Sequence, residues 1–197
     1  MGVKRFDPDQ ALEAALQVFW SRGYEQASAQ DLVEAMGINR GSWYATFGGK
    51  AELYRLALQR YCRADLDRWR RELGRPDPLV QVLRTVLESK AADLVADPRG
   101  RGCMLANAAA EVRPGTPAAA QVRAALHELH DLLAAAVDRA RTRGELLPDA
   151  DPHALAAFLV TTIHGLRVVG KADPDPTRLS TAIDAALSVL PSRPSMR

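Results

Sequence analysis

The chain has 197 residues, a formal net charge of +2 and 47% hydrophobic residues, which predicts a folded protein of one domain, or of a small domain fused to a larger one. Its two cysteines, Cys62 and Cys103, exclude a disulfide framework and a cysteine zinc site, although the sequence leaves a redox role undecided. The apolar runs are short and interrupted, and no signal peptide pattern follows Lys4 and Arg5. We therefore expect a cytoplasmic protein without membrane association.

Helical periodicity runs through almost the whole chain, and no strand-like alternation persists for any length. Proline, glycine and aspartate mark the breaks between the periodic segments. The pattern predicts an all-α fold of about nine helices, followed by a disordered tail at 191–197. The predicted helices span about 7–22, 28–36, 40–47, 50–73, 78–96, 103–112, 116–143, 151–170 and 176–190.

The first three helices predict a helix-turn-helix unit, because only Gly37, Ile38 and Asn39 separate the second helix from the third. The third helix would protrude, and an α-helix fits the major groove of B-DNA. Trp43 and Phe47 would anchor it, and the remaining side chains are mostly small.

The distribution of charged residues in 1–50 indicates a DNA-binding surface. Residues 1–50 contain five Lys or Arg against six Asp or Glu, but no acid occurs from 37 to 50, where two cations lie. A surface that faces phosphates must avoid carboxylates.

Four consecutive segments carry a family resemblance: FWSRGY at 19–24, SAQDLVEAMGI at 28–38, NRGSWYATFGGK at 39–50 and AELY at 51–54. Together they resemble the TetR/AcrR family of bacterial repressors. The chain keeps the glycine after helix one and the tyrosine, phenylalanine and final lysine of that family's pattern. It departs at Val33, Asn39, Arg40, Trp43 and the glycine pair 48–49. The resemblance covers about residues 6–60, and GCMLANA at 102–108 is similar to a segment of some members.

The resemblance implies an N-terminal three-helix DNA-binding domain at 1–50, with the start of a linker helix at 50–73. A helical domain for effector binding and dimerisation would follow at 74–190. The implied partners are double-stranded operator DNA, a second copy of the chain and a small-molecule effector of apolar character. No cofactor and no metal are expected; His127 and His130 lack a third ligand at metal spacing.

The residues expected at DNA lie in and around the third helix. The resemblance gives Tyr44 a phosphate or thymine-methyl contact and Lys50 a phosphate contact, and Arg40 is the candidate for a bidentate guanine contact. Ser28 would cap the second helix and contact phosphate. The full predicted set is Ser28, Gln30, Arg40, Gly41, Ser42, Tyr44, Ala45, Thr46 and Lys50.

Mixed apolar and polar side chains in the second half suggest an effector pocket. The predicted lining is Met104, Asn107, Ala108, Leu129, Leu133, Phe158, Thr162 and His164, with His164 either a polar anchor in the pocket or a histidine of the core. Apolar residues of the last two helices suggest a dimer interface of Leu155, Leu159, Leu166, Ile183, Leu187 and Leu190. The Arg-rich stretch 60–71, which also holds Asp65 and Asp67, is interpreted as a solvated face.

Three functions are open at this point. The first is a homodimeric repressor that a small-molecule effector releases from a palindromic operator. The second is a constitutive DNA-binding regulator or activator without a ligand. The third is an enzyme that carries a helix-turn-helix, which the sequence disfavours because it has no Glu-x-x-His pair, no Ser-x-x-Lys and no nucleophile elbow.

Overall fold

The computed structural model describes residues 6–191, and this part of the chain folds into nine α-helices without a β-strand. The predicted all-α class is therefore confirmed. The predicted tail lies, apart from Pro191, outside the described residues. The helices are α1 Pro8–Gln26, α2 Ala29–Met36, α3 Arg40–Phe47, α4 Lys50–Leu73, α5 Leu79–Ala96, α6 Met104–Glu111, α7 Pro117–Thr142, α8 Pro152–Ala172 and α9 Pro176–Ser188.

Asp-Pro pairs begin three of these helices. The carboxylates of Asp7, Asp151 and Asp175 accept hydrogen bonds from backbone N–H groups of the first turn, and a proline occupies the first helical position each time. That proline has no N–H group to leave unpaired, and its φ angle already suits a helix. Local sequence alone therefore fixes these starting points.

The end of α1 differs from its prediction at Arg22. Gly23 has φ +75° and ψ 177°, which interrupts the helix, and a short helical piece then continues to Gln26. The glycine does break the helix as predicted, but the chain resumes helical geometry behind it.

The described chain divides into two compact units. One unit, called here the head, comprises residues 6–64 and 103–123, and the other, called the body, comprises residues 65–102 and 124–191. Both α4 and α7 contribute residues to each unit. The head thus contains α6 in addition to the N-terminal helices, whereas the functional boundary at residue 50 stays a prediction.

Aromatic packing and ion pairs hold the head together. The rings of Phe19 and Tyr54 meet edge to face at 5.0 Å between centroids, an arrangement that aromatic pairs favour. Arg60 on α4 pairs with Asp9 and Glu13 on α1, with 3.0 Å between nitrogen and oxygen in each pair.

The body is built around α5, which packs against α8 and α9. Its core contains Trp69, Leu83, Leu133 and Val137, all fully buried. The side chains expected at a dimer interface must be corrected here: Leu159, Ile183, Leu187 and Leu190 belong to this core and are at most 3% exposed. A buried side chain of one chain has no surface left for a second copy.

The interpretation of residues 60–71 as a solvated face also needs a correction. Asp65 faces inward with a side chain that is 17% exposed, and it forms ion pairs with Lys90 and Arg167. The sequence held a signal for this placement, because Asp65 lies on the same helical stripe as Cys62, Leu66 and Trp69, which are buried.

Candidate nucleic-acid interface

The helix-turn-helix is assembled by local caps. The Ser28 hydroxyl accepts a hydrogen bond from Asp31 N at 3.1 Å, and the Asp31 carboxylate accepts one from Ser28 N at 3.0 Å. Hydrogen bonds from the side chain and the backbone of Ser28, ahead of the Coulombic attraction of Arg22, lower the pKa of Asp31. Gly37 then ends α2 at φ +64°, a conformation that glycine adopts without strain. The capping role predicted for Ser28 is thus present.

Helix α3 is capped by a residue whose role the sequence analysis missed. The Asn39 side chain accepts a hydrogen bond from Ser42 N at 2.8 Å. Asparagine is among the preferred N-cap residues. Asn39, which stands where the family pattern has a serine, therefore caps α3. Together with Gly37, it fixes the three-residue turn.

The two faces of α3 are sharply different. Trp43 and Phe47 are buried at 1% and 6% exposure, as expected for the anchoring face. Ser42 is half-buried, and the opposite face is exposed and carries no acid: Arg40, Gly41, Tyr44, Ala45 and Thr46. An exposed helical face with one cation, one tyrosine and small residues suits entry into the major groove.

Tyr44 is the most prominent side chain of that face. It is 58% exposed, and its ring stacks on Trp43 with the centroids 5.2 Å apart and the planes at 22°. A Cβ at Gly49 would lie 3.6 Å from the Tyr44 ring. The ring is therefore supported by Trp43, and a side chain at position 49 would contact it.

Lys50 at the start of α4 is held by the end of α1. Its Nζ donates to the backbone oxygen of Glu25 at 3.3 Å and lies 4.7 Å from the centroid of the Tyr24 ring. Neither contact neutralises the ammonium charge, and a cation at a helix N-terminus opposes the helix dipole. Lys50 thus keeps a charge that a phosphate can compensate.

Gln30 on α2 is engaged differently. Its Nε2 donates to the Glu34 carboxylate at 2.6 Å along the same exposed face of the helix. A contact from the Gln30 side-chain N–H group to DNA would have to replace or share this bond.

Helix α6 reaches the end of α1 through Glu111, a contact that the sequence analysis did not foresee. The Glu111 carboxylate accepts a hydrogen bond from Tyr24 N at 3.2 Å. A Cβ at Gly23 would lie 2.7 Å from Glu111 Oε1, so a side chain at this position would displace the carboxylate. Burial, with a smaller contribution from Glu111, raises the pKa of Tyr54 beside it.

Comparison with known proteins agrees with this geometry. Residues 11–57 match the family described as bacterial regulatory proteins of the tetR family, and residues 80–186 match the tetracyclin repressor-like C-terminal domain. The chain belongs to the TetR family. It is thus a DNA-binding transcriptional regulator and not an enzyme, and the family resemblance of the sequence is confirmed.

Two relatives of this TetR-family protein match over most of its length. The transcriptional regulator YezE of Bacillus subtilis (strain 168) is 32% identical over 189 residues, with 95% of this chain and 97% of YezE covered. The transcriptional repressor ComR of Escherichia coli (strain K12) is 30% identical, with 84% and 80% covered. A solved structure of the TetR-family regulator CifR, a cysteine variant complexed with 26-base-pair operator DNA, has a TM-score of 0.85 at 34% identity, with 97% of this chain and 100% of CifR covered.

The side chains predicted to line an effector pocket fall in both units of the regulator. Met104, Asn107 and Ala108 belong to the head, and the other five belong to the body. Leu129 and Leu133 are core residues, whereas Phe158 is 36% exposed on α8. The pocket assignment stays a prediction.

Proposed function

We propose that this TetR-family regulator is a homodimeric repressor that binds a palindromic operator and leaves it when a small-molecule effector binds. The observation that carries the DNA-binding surface is the acid-free, exposed face of α3, on which Tyr44 projects beside Arg40. ComR is named a repressor and CifR is complexed with operator DNA, and both names favour repression through an operator.

The dimer is supported by the outer face of α8. This helix is long and apolar enough, by length and composition alone, to cross a membrane, yet only 28% of its most apolar stretch is buried. Val168 and Val169 are 57% and 50% exposed, and the exposed stripe holds no charge: Ala154, Ala157, Phe158, Thr161, Gly165, Val168, Val169 and Ala172. Contiguous exposed apolar surface of this kind marks an interaction site.

A second copy fits this stripe better than a lipid bilayer does. The opposite face of the same helix carries Arg167, an ion-paired residue of the body, and a spanning helix would have to place that charge in hydrocarbon. A two-fold axis would instead pair the stripe with itself. The dimer surface is therefore proposed along this stripe, together with the half-buried Leu155 and Leu166 that the sequence also suggests.

The proposed DNA surface is tested by replacing Tyr44. We expect Tyr44→Ala to weaken binding to the DNA upstream of the protein's own gene by about 1–3 kcal/mol, or roughly 5- to 150-fold, because the ring and its hydroxyl are both removed from an exposed position. Fluorescence anisotropy with the labelled fragment measures the affinity. Tyr44→Phe separates the two parts, since it keeps the ring on Trp43 and removes only the hydroxyl.

Val95→Ala serves as the control, because Val95 is 42% exposed in the body and has no part in the proposed surface. Its affinity for DNA should equal that of the parent protein. Unchanged binding by Tyr44→Ala, with an unchanged thermal unfolding curve, would contradict the assigned face of α3.

The alternative, a constitutive regulator or activator without a ligand, shares the DNA surface and differs in the body. The two functions separate when the same fragment is titrated in the presence of candidate effectors, since only the ligand-responsive protein would release it. Transcription from the neighbouring promoter in a deletion strain then distinguishes a repressor, whose loss raises expression, from an activator.

A further inference from the structure

Both oxygens of the Glu111 carboxylate lie at the break in α1. Oε2 accepts a hydrogen bond from Tyr24 N at 3.2 Å, and Oε1 lies 2.7 Å from the place that a Cβ at Gly23 would take. The chain leaves its helical path at Gly23, where ψ is 177°. The carboxylate of α6 therefore holds the peptide group at which the short piece 24–26 begins.

Two contacts of Lys50 come from that short piece. The Nζ atom donates a hydrogen bond to the backbone oxygen of Glu25 and lies 4.7 Å from the centroid of the Tyr24 ring. Tyr24 and Glu25 are the first two residues after the break. A displacement of the piece would therefore move the ring and the carbonyl group together, and Lys50 would lose both supports.

Aromatic packing holds the Tyr24 ring from another side. Its centroid lies 5.0 Å from that of Tyr54 and 6.5 Å from that of Phe19. Aromatic pairs tolerate a range of offsets and tilts, whereas a hydrogen bond restricts the direction in which its donor points. We therefore expect the direction of the piece 24–26 to depend on the hydrogen bond to Glu111.

The charge of Glu111 is unfavourable for DNA binding. Its side chain is exposed in the head, and a carboxylate there repels phosphates. Within residues 6–191 it forms no ion pair, and its hydrogen-bond donor is a backbone N–H group. The contribution of Glu111 to the head therefore comes from a directed hydrogen bond.

We propose that Glu111 is a positioning residue for DNA binding, which through Tyr24 holds the Lys50 ammonium group where a phosphate meets it. The inference rests on the proposed DNA surface and extends it to α6. A lysine has a flexible four-carbon stem, and ordering such a side chain during binding lowers affinity. Because Tyr24 and Glu25 order Lys50 before DNA arrives, the loss of their support should weaken binding.

Three replacements of Glu111 separate its hydrogen bond from its charge. Glu111→Gln keeps an acceptor oxygen at the same reach and removes the charge, Glu111→Asp keeps the charge and shortens the side chain, and Glu111→Ala removes both. We expect Glu111→Asp and Glu111→Ala to weaken DNA binding about 3- to 10-fold, and Glu111→Gln to bind like the parent protein. Fluorescence anisotropy at one salt concentration measures the affinities.

An effect of charge alone predicts the opposite order. Loss of a carboxylate from the head strengthens its attraction to phosphates, so Glu111→Gln and Glu111→Ala would bind DNA more tightly and Glu111→Asp would not differ from the parent. Glu13→Ala is the matched control, because it removes another carboxylate of the head, one that pairs with Arg60. It should not weaken DNA binding.

A double-mutant cycle with Lys50→Gln separates positioning from a structural role. Without the ammonium group there is nothing left to position, so Glu111→Ala should change the DNA affinity of Lys50→Gln less than about 2-fold. A residue that only stabilises the fold would lower the thermal unfolding temperature and leave the affinity of the folded protein unchanged. Stoichiometric titration gives the concentration of folded, active protein.

Glu111→Asp that binds like the parent, Glu111→Gln that binds more weakly, or fully independent effects of Glu111→Ala and Lys50→Gln would each overturn the positioning role. The comparison of Asp with Gln decides where Glu111→Ala does not fold. Weaker binding by Lys50→Gln with unchanged binding by Glu111→Asp refutes positioning alone. Unchanged binding by Lys50→Gln refutes the proposed phosphate contact and, with it, the role of Glu111.

Discussion

Lys50 and Tyr44 are held in different ways on the proposed DNA surface. Tyr44 rests on Trp43 by stacking alone, whereas Lys50 already donates to Glu25 O and lies over Tyr24. Both contacts orient the Lys50 side chain while leaving its charge uncompensated. We therefore expect Lys50 to contribute mainly electrostatic, sequence-independent affinity, and Arg40 and Tyr44 to contribute the dependence on operator sequence.

Removal of the Lys50 charge should change the salt dependence of DNA binding. For Lys50→Gln we expect the slope of log K against log salt to fall by about 0.9 for each phosphate that the protein no longer neutralises, because fewer counterions are released. Anisotropy titrations at several salt concentrations measure the slope. Arg99→Gln, which removes an exposed cation of the body, should leave it unchanged, and an unchanged slope in Lys50→Gln would refute the phosphate contact.

His164 gives a prediction for stability against pH. Since burial and Arg167 lower its folded-state pKa to about 4, against about 6.5 in the unfolded chain, the unfolded state binds more protons between these values. Neutral His164 makes its full contribution to the free energy of unfolding above about pH 6.5, and this contribution is lost as the pH falls toward 4. Lys90 and Asp65, the other charged groups that act on it, oppose each other.

The measurement compares urea unfolding at pH 7.5 and pH 5. Between pH 7.5 and pH 5, the free energy of unfolding should fall by about 2 kcal/mol more in the parent protein than in His164→Asn, at 1.36 kcal/mol for each pKa unit. His127→Asn replaces an exposed histidine of α7 and should behave like the parent. Equal losses in the parent and in His164→Asn would show that His164 is protonated as easily in the folded state as in the unfolded chain.

At the scale of the element, the break in α1 at Gly23 gives the end of this helix its contacts within the head. The chain turns at Gly23, and Glu111 of α6 occupies the space that a side chain there would fill. The same carboxylate accepts from Tyr24 N, and the Tyr24 ring lies under Lys50. One contact from α6 thus positions the segment against which the side chain of Lys50, a proposed phosphate ligand, lies.

Gly23→Ala should destabilise the protein more than Gly115→Ala. Both glycines have positive φ, +75° and +83°, but a Cβ at Gly115 meets nothing within 4 Å. Gly115→Ala measures the cost of a positive φ, about 1–2 kcal/mol. Gly23→Ala adds the cost of ψ 177° at positive φ, a conformation that is essentially restricted to glycine, and the cost of displacing the Glu111 carboxylate. Urea unfolding gives both values.

A double-mutant cycle assigns that excess. In a Glu111→Ala background the carboxylate is absent, so the cost of Gly23→Ala should fall by the part that Glu111 contributes, leaving the backbone cost. If the cost of Gly23→Ala is the same in both backgrounds, Glu111 is not the group that requires glycine at this position.

At the scale of the whole molecule, the exposed stripe of α8 is the proposed dimer surface. We expect Val168→Glu to convert a dimer into monomers, because a carboxylate would face its own copy across the two-fold axis. Sedimentation velocity measures the mass. Val95→Glu, an equivalent change at a 42% exposed valine on α5, should remain dimeric.

Val168→Glu should also weaken DNA binding, although residue 168 belongs to the body. A two-fold dimer reads two half-sites as an inverted repeat, so a monomeric Val168→Glu variant should lose most of its operator affinity while its head is intact. Footprinting should find a palindrome. A single asymmetric half-site, or a monomeric parent protein, would contradict the proposed assembly.

The sequence by itself determined the features that depend on neighbouring residues. The Asp-Pro starts of α1, α8 and α9, the capping box of Ser28 and the left-handed Gly37 all follow from hydrogen bonds within a few positions. Periodicity then indicated the number of helices and the buried face of α3. The DNA-binding surface was accessible to sequence reasoning because a helix-turn-helix is a local structure of about twenty residues.

Only the tertiary structure decided which distant residues meet. Glu111 bonds to Tyr24 across 87 positions and Arg167 to Asp65 across 102, and no local pattern relates such pairs. It also decided which apolar residues are core: Leu159 and Val168 lie on one apolar helix, yet the first is buried and the second is 57% exposed. Helical periodicity shows that a face is apolar, but the packing of α5 and α9 determines which face they cover.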